Sequence, residues 1–153
     1  MKAPEPQKII GFAYLAGFIL VLFIIYKLLS AVGIIKTGKQ KRAAKERQEA
    51  VASLRTEEYF NPDFYRDKKF KSIGSNAAIL YAQQLRKSMR GLGTDEEAIY
   101  SVFGKLMNKC NISEVAAAYY NQYKRDLQTD LNNELTDRDT VPLMEIINGL
   151  PNF

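Results

Sequence analysis

The chain has no histidine, no tryptophan and one cysteine among its 153 residues. Without histidine the usual general base of nucleophilic catalysis is missing, and no two acids stand where a paired-carboxylate mechanism is evident. Cys110 has no second cysteine to form an internal disulfide, and no Cys and His cluster exists to hold zinc. These absences argue against an enzyme. No alternation of strand period competes with the helical spacings, so the predicted fold class is all-α.

What is present is strongly segmented. Residues 1–8 form a short tail. Ile9 to Tyr26 is a run of eighteen residues without a formal charge, and apolar character resumes after Lys27 to reach Ile35. At about 1.5 Å per residue this run matches a hydrocarbon core of about 30 Å, which predicts a transmembrane helix over 9–35. Ala31-Val32-Gly33 could pass for a signal-cleavage site, but the run is long for a signal peptide and Lys27 interrupts it.

Residues 1–55 carry a net +7 and residues 56–153 a net −2. Lys36, Lys39, Lys41, Arg42, Lys45 and Arg47 follow the apolar run, whereas Lys2 and Lys8 precede it. The positive-inside rule places the C-terminal domain in the cytoplasm and the N-terminus outside. The same six cations are candidate contacts for anionic headgroups, a partner better suited to their place than nucleic acid.

Residues 36–55 read as a basic helical stalk with a thin apolar stripe of Ala43, Ala44, Ala50, Val51 and Leu54. They form either an exposed spacer or a strip for self-association. Residues 56–75 are rich in aromatics. Tyr59, Phe60, Phe64 and Tyr65 either cap the following domain or face a partner.

Residues 76–153 carry five helical patterns. Ala78, Ile79, Ala82, Leu85 and Met89 face one way on the first, and Ile99, Val102, Phe103 and Leu106 on the second. Ile112, Val115, Ala116, Tyr119, Tyr120 and Tyr123 mark the third, followed by a shorter fourth at Leu127, Leu131 and Leu135. The fifth holds Leu143, Met144, Ile147 and Leu150, with Pro142 expected in a first turn begun by Asp139 or Thr140. Between the first two helices, Gly91-Leu92-Gly93-Thr94-Asp95-Glu96-Glu97 needs no ligand to be explained. Gly91 suits a helix end, and Thr94 with Glu97 has capping-box spacing.

The loop MRGLGTDEEAI, Met89 to Ile99, is followed forty residues later by RDLQTDLNNEL, Arg125 to Leu135, and in that order the two resemble one annexin repeat. The resemblance implies a five-helix unit that holds calcium against phospholipid. Carried over, its ligands are the carbonyls of Met89, Gly91 and Gly93 with the carboxylate of Glu134. Oxygen donors of this kind suit a hard cation. Calcium is the one cofactor implied, and the residues alone establish none.

The resulting expectation is a single-pass membrane protein whose annexin-like domain tethers a protein layer or assembly, in a cell or in a lipid-containing virion. Its partners are the bilayer and a protein or a second copy. The alternative expectation is a calcium-dependent phospholipid-binding module bridging membranes.

Overall fold

The computed structural model describes the backbone of residues 6–31 and 38–153, and side chains at 17–29, 31 and 38–153. Among the described residues all regular structure is helical: α1 (Pro6–Ala31), α2 (Gly38–Thr56), α3 (Ser75–Ser88), α4 (Glu96–Phe103), α5 (Lys109–Tyr123), α6 (Leu127–Glu134) and α7 (Asp137–Asn148), with a short 3-10 turn at Glu58–Phe60. The chain divides into two compact units, residues 1–44 and 45–153.

In the first unit, α1 carries exposed Phe18, Ile19, Leu20, Phe23 and Leu28. Among the described residues no helix is long and apolar enough to cross a membrane. The expected span over 9–35 is therefore not supported by them. The side chains of its first half, and all of 32–37, lie outside the described residues.

The second unit is built on α3–α7, the five helices expected from residue 76 onward. Their apolar faces meet in one core containing Ala82, Leu85, Ile99, Val102, Phe103, Ile112, Val115, Tyr119, Leu127, Leu131, Leu143 and Ile147. Side chains start three of the helices: Asp95 accepts from the Ala98 amide at 3.0 Å, Asn108 from Asn111 at 3.1 Å and Asp126 from Thr129 at 2.7 Å. Each satisfies an amide that the helix itself leaves unpaired. At the end of α5, Lys124 takes the left-handed conformation at φ 53°.

Several local expectations are corrected. The cap of α4 is Asp95 rather than Thr94, because the Thr94 hydroxyl is engaged elsewhere. Helix α7 begins at Asp137 behind Thr136, so Pro142 is its sixth residue and not part of a first turn begun at Asp139 or Thr140. Its missing N–H leaves the Arg138 carbonyl without a helical partner, at a position where Arg138 is exposed to water. Ile79 and Tyr120, expected on core faces, are 38% and 50% exposed.

The core also recruits chain ahead of the five helices. Leu54, Tyr59 and Phe60 are buried within it, and Ala50 and Phe64 pack at its margin. The Gln128 amide donates to the carbonyls of Leu54 at 2.6 Å and Glu57 at 3.3 Å. The last turns of the stalk are thus part of the domain rather than a spacer in water. Burying Tyr59 and Phe60 removes them from any surface a partner could reach, while Phe64 and Tyr65 remain half-buried.

Candidate functional site

The loop between α3 and α4 is held by its own ends. The Asp95 amide donates to the Ser88 carbonyl at 3.0 Å, closing the turn, and Met89 is buried beneath it. Within the turn Gly91 has φ +129° and Gly93 φ +98°, conformations that side chains strain to adopt. Leu92, between them, is fully exposed at the tip.

The structure brings Glu134 to this loop. The Thr94 hydroxyl donates toward the Glu134 carbonyl oxygen and toward its Oε2, both at 3.3 Å. Glu134 is the last residue of α6 and is exposed, so the acid stands in water at the rim of the loop. Glu134 thus reaches Thr94, in the same loop that carries Met89, Gly91 and Gly93.

The donor set fits a hard cation. Among the described residues, the carbonyls of Met89, Gly91 and Gly93 accept no hydrogen bond. Open space lies where a Cβ would stand at both glycines. Carbonyl oxygens with one carboxylate are calcium chemistry, and water or a phosphate oxygen would complete the six to eight ligands such an ion takes. No cluster of three acids or thiols able to hold a metal occurs among the described residues. A divalent ion here, facing one carboxylate, would keep a net positive charge and could attract an anionic group beyond the protein.

Beneath the loop lies a polar network that the apolar spacings did not announce. Asp130 is 3% exposed on the core side of α6. It accepts from Arg125 Nη2 at 2.5 Å and Nε at 2.8 Å, from the Tyr119 hydroxyl at 2.6 Å and from Arg86 Nη1 at 3.3 Å. Burial alone would raise the Asp130 pKa, but the hydrogen bonds from Arg125 and Tyr119 and the charges of both arginines together hold it below the ordinary carboxylate value. Burial, followed by the bond to Asp130, pushes the Tyr119 hydroxyl up to about 12. The network joins α3, α5 and α6, which fixes the end of α3 that leads into the loop. Its only sign in the sequence is an acid placed between Leu127 and Leu131, on the buried side of a short helix.

The remaining expected site residues are dispersed. Lys39, Lys41, Arg42 and Lys45 are exposed on α2, Arg47 is half-buried, and Lys36 lies outside the described residues. Lys45 pairs with Glu49 at 3.4 Å in water, an interaction of little energetic weight. Cys110 is fully buried, and burial raises its thiol pKa.

A family model described as annexin matches residues 81–138, which contain both the loop and Glu134. The chain is 33% identical to annexin A3 of Rattus norvegicus over 72 residues, 47% of this chain and 22% of that protein. It is 49% identical to human annexin A4 over 66 residues, 43% of this chain and 20% of that protein, and 44% identical to human annexin A5 over 57 residues, 37% and 18%. The chain thus spans about a fifth of the length of these relatives. No solved structure matches it significantly. The similarity falls on the segment that holds the loop, its acid and the buried network, and the chain carries an annexin-like repeat.

Proposed function

We propose that residues 45–153 act as a calcium-dependent phospholipid-binding module and that the apolar N-terminal run holds the chain in a membrane. The observation that carries the first part is the contact of Thr94 with Glu134, which sets an acid at the rim of a loop whose Met89, Gly91 and Gly93 carbonyls accept no hydrogen bond among the described residues. A bound calcium ion would offer its open positions to a lipid phosphate, and exposed Leu92 stands where the loop would meet the headgroups. The second part rests on the uncharged run from Ile9 to Tyr26 and on the apolar side chains that α1 exposes. The cations after that run favour a C-terminal domain in the cytoplasm with the N-terminus outside, or at the corresponding face of a virion membrane. Protease digestion of right-side-out and inverted vesicles tests this side assignment.

Thermal melting tests the module. With the full chain in neutral detergent and a soluble short-chain phosphatidylserine, calcium should raise Tm, and chelator should return it to the starting value. No calcium-dependent shift, with or without the lipid, would leave the loop as a helix connection.

In that case the second reading takes its place: a membrane-held tether for a protein layer or a second copy of the chain. It is favoured by exposed Ile79, Leu80 and Tyr120 on α3 and α5, beside a groove of about 210 Å³ lined in part by Tyr65, Ala117 and Ala118.

A further inference from the structure

Behind the loop, a groove of about 300 Å³ lies between α3 and α4. Its walls follow helical spacing. Gln84, Lys87 and Ser88 share one face of α3, and Ala98, Ser101 and Lys105 share a line along α4 and just past its end. Ser88, Ala98 and Ser101 are small, so the groove stays open where the two helices pack. Asp95 completes the lining at the neck of the loop, where its amide meets the Ser88 carbonyl at 3.0 Å. The groove therefore begins where the candidate calcium loop closes, and α4 carries it on for about 12 Å.

The lining holds donors that the fold leaves unused. Among the described residues Lys87 and Lys105 have no ion pair, and the side chains of Gln84 and Ser101 make no hydrogen bond. All four are exposed. The one acid of the lining is committed, since Asp95 Oδ1 accepts from the Ala98 amide at 3.0 Å to cap α4. Glu96 and Glu97 lie outside the lining. Two ammonium groups against one capping acid leave the groove net positive, beside a free hydroxyl and a free amide. Such groups bind phosphate through charge-assisted hydrogen bonds. The same charge sorts lipid headgroups. Choline and ethanolamine carry a cation beyond the phosphodiester, and serine offsets its carboxylate with one, so none of the three gains much from two lysines. A phosphate monoester carries about −1.5 to −2 at neutral pH and gains from both.

We propose that the groove between α3 and α4 is a phosphate-monoester site of the inositol phosphate class, which selects a phosphorylated inositol headgroup over serine. The selection of lipid rests on the calcium-dependent reading of the loop, whereas the groove itself binds the monoester without calcium. Lys87 and Lys105 supply the charge, and Gln84 and Ser101 the neutral donors.

The test has two arms. In the first, the full chain is melted in neutral detergent and chelator, with and without inositol trisphosphate, which should raise the Tm of wild type. The double variant Lys87→Gln, Lys105→Gln should lose that rise. Lys69→Gln, Lys71→Gln removes the same charge from exposed positions outside the groove and should keep it. Melting without ligand checks the fold of each variant, and Ser101→Ala, which should reduce the rise, keeps the test open if the double variant is destabilised. In the second arm, calcium is added with vesicles of phosphatidylcholine containing either a phosphatidylinositol bisphosphate or phosphatidylserine at matched charge. Wild type should prefer the inositol lipid by about tenfold, and the Lys87, Lys105 variant should bind both alike. That preference assigns the groove to the lipid headgroup. A Tm rise without it assigns the groove to free inositol phosphate, and the selection of lipid falls. No rise in wild type, or an equal rise in the Lys87, Lys105 variant, overturns the site and leaves the calcium reading intact. A rise in chelator with no calcium-dependent vesicle binding keeps the site and removes the calcium reading.

Discussion

Thr94 and Glu134 lie 40 residues apart in sequence, and the hydroxyl of the first reaches both the carbonyl and the carboxylate of the second at 3.3 Å. This link aligns the acid with the loop before any ion arrives. Thr94→Val should weaken calcium binding without removing a ligand, and Glu134→Gln should remove most of the calcium-induced rise in Tm. Neither should change the calcium-free stability by more than about 0.5 kcal/mol, since both residues lie at or near the surface. Calorimetric titration and melting in chelator separate the two effects. Equal calcium response in Glu134→Gln and wild type would exclude the carboxylate as a ligand.

Phe60→Ala should destabilise the domain by about 3 to 5 kcal/mol, because the ring is fully buried against Phe103 and a cavity would replace it. Tyr65→Ala, at a half-buried position, should cost much less. Denaturant midpoints of the two variants give the comparison, and similar losses would place the two rings in equivalent surroundings.

Asp130 has a lowered pKa in the folded protein, so its contribution is fully present above the ordinary carboxylate range and is lost as pH falls through the lowered value. The stability of Asp130→Asn should therefore vary less with acid than that of wild type over this range. At neutral pH the substitution should cost about 3 kcal/mol, because it leaves the Arg86 guanidinium facing a neutral partner in a largely buried site. Chemical denaturation at a series of acidic pH values measures both quantities.

Cys110 should resist thiol reagents in the native state and react on unfolding, since its sulfur is buried and its pKa raised. Labelling with a chromogenic disulfide in buffer and in denaturant gives the two rates. Rapid labelling in buffer would show that the start of α5 opens readily.

The five helices of the repeat were legible because their apolar residues recur at helical spacing and because Gly91 and Gly93 mark a break between two such patterns. The pairing of loop and Glu134 came through the resemblance, since a spacing of forty residues carries no local signal. The cap at Asp95 was misassigned to Thr94: both residues can cap a helix, and the choice was made by Glu134, a distant partner. The exposure of Ile79 and Tyr120 was missed for a related reason. Periodicity reports which residues share a face, whereas the width of the buried stripe depends on what packs against it. Leu54 looked like part of a thin stripe on a stalk, and only the tertiary structure shows that it completes the core. The buried Asp130 was hidden because a polar residue on an apolar face has no meaning until its arginines are placed.

The burial of Leu54, Tyr59 and Phe60 has a mechanical consequence. Any tension arriving along α2 enters the fold at Leu54 and is passed through Gln128 to the start of α6. The load therefore falls first on the plug formed by these three side chains, and the loop with Glu134 stands at the other extremity of the same helices. A pull would draw the plug before it disturbed the loop and Glu134, so the contact of Thr94 with Glu134 would survive while the opposite end of the domain began to yield.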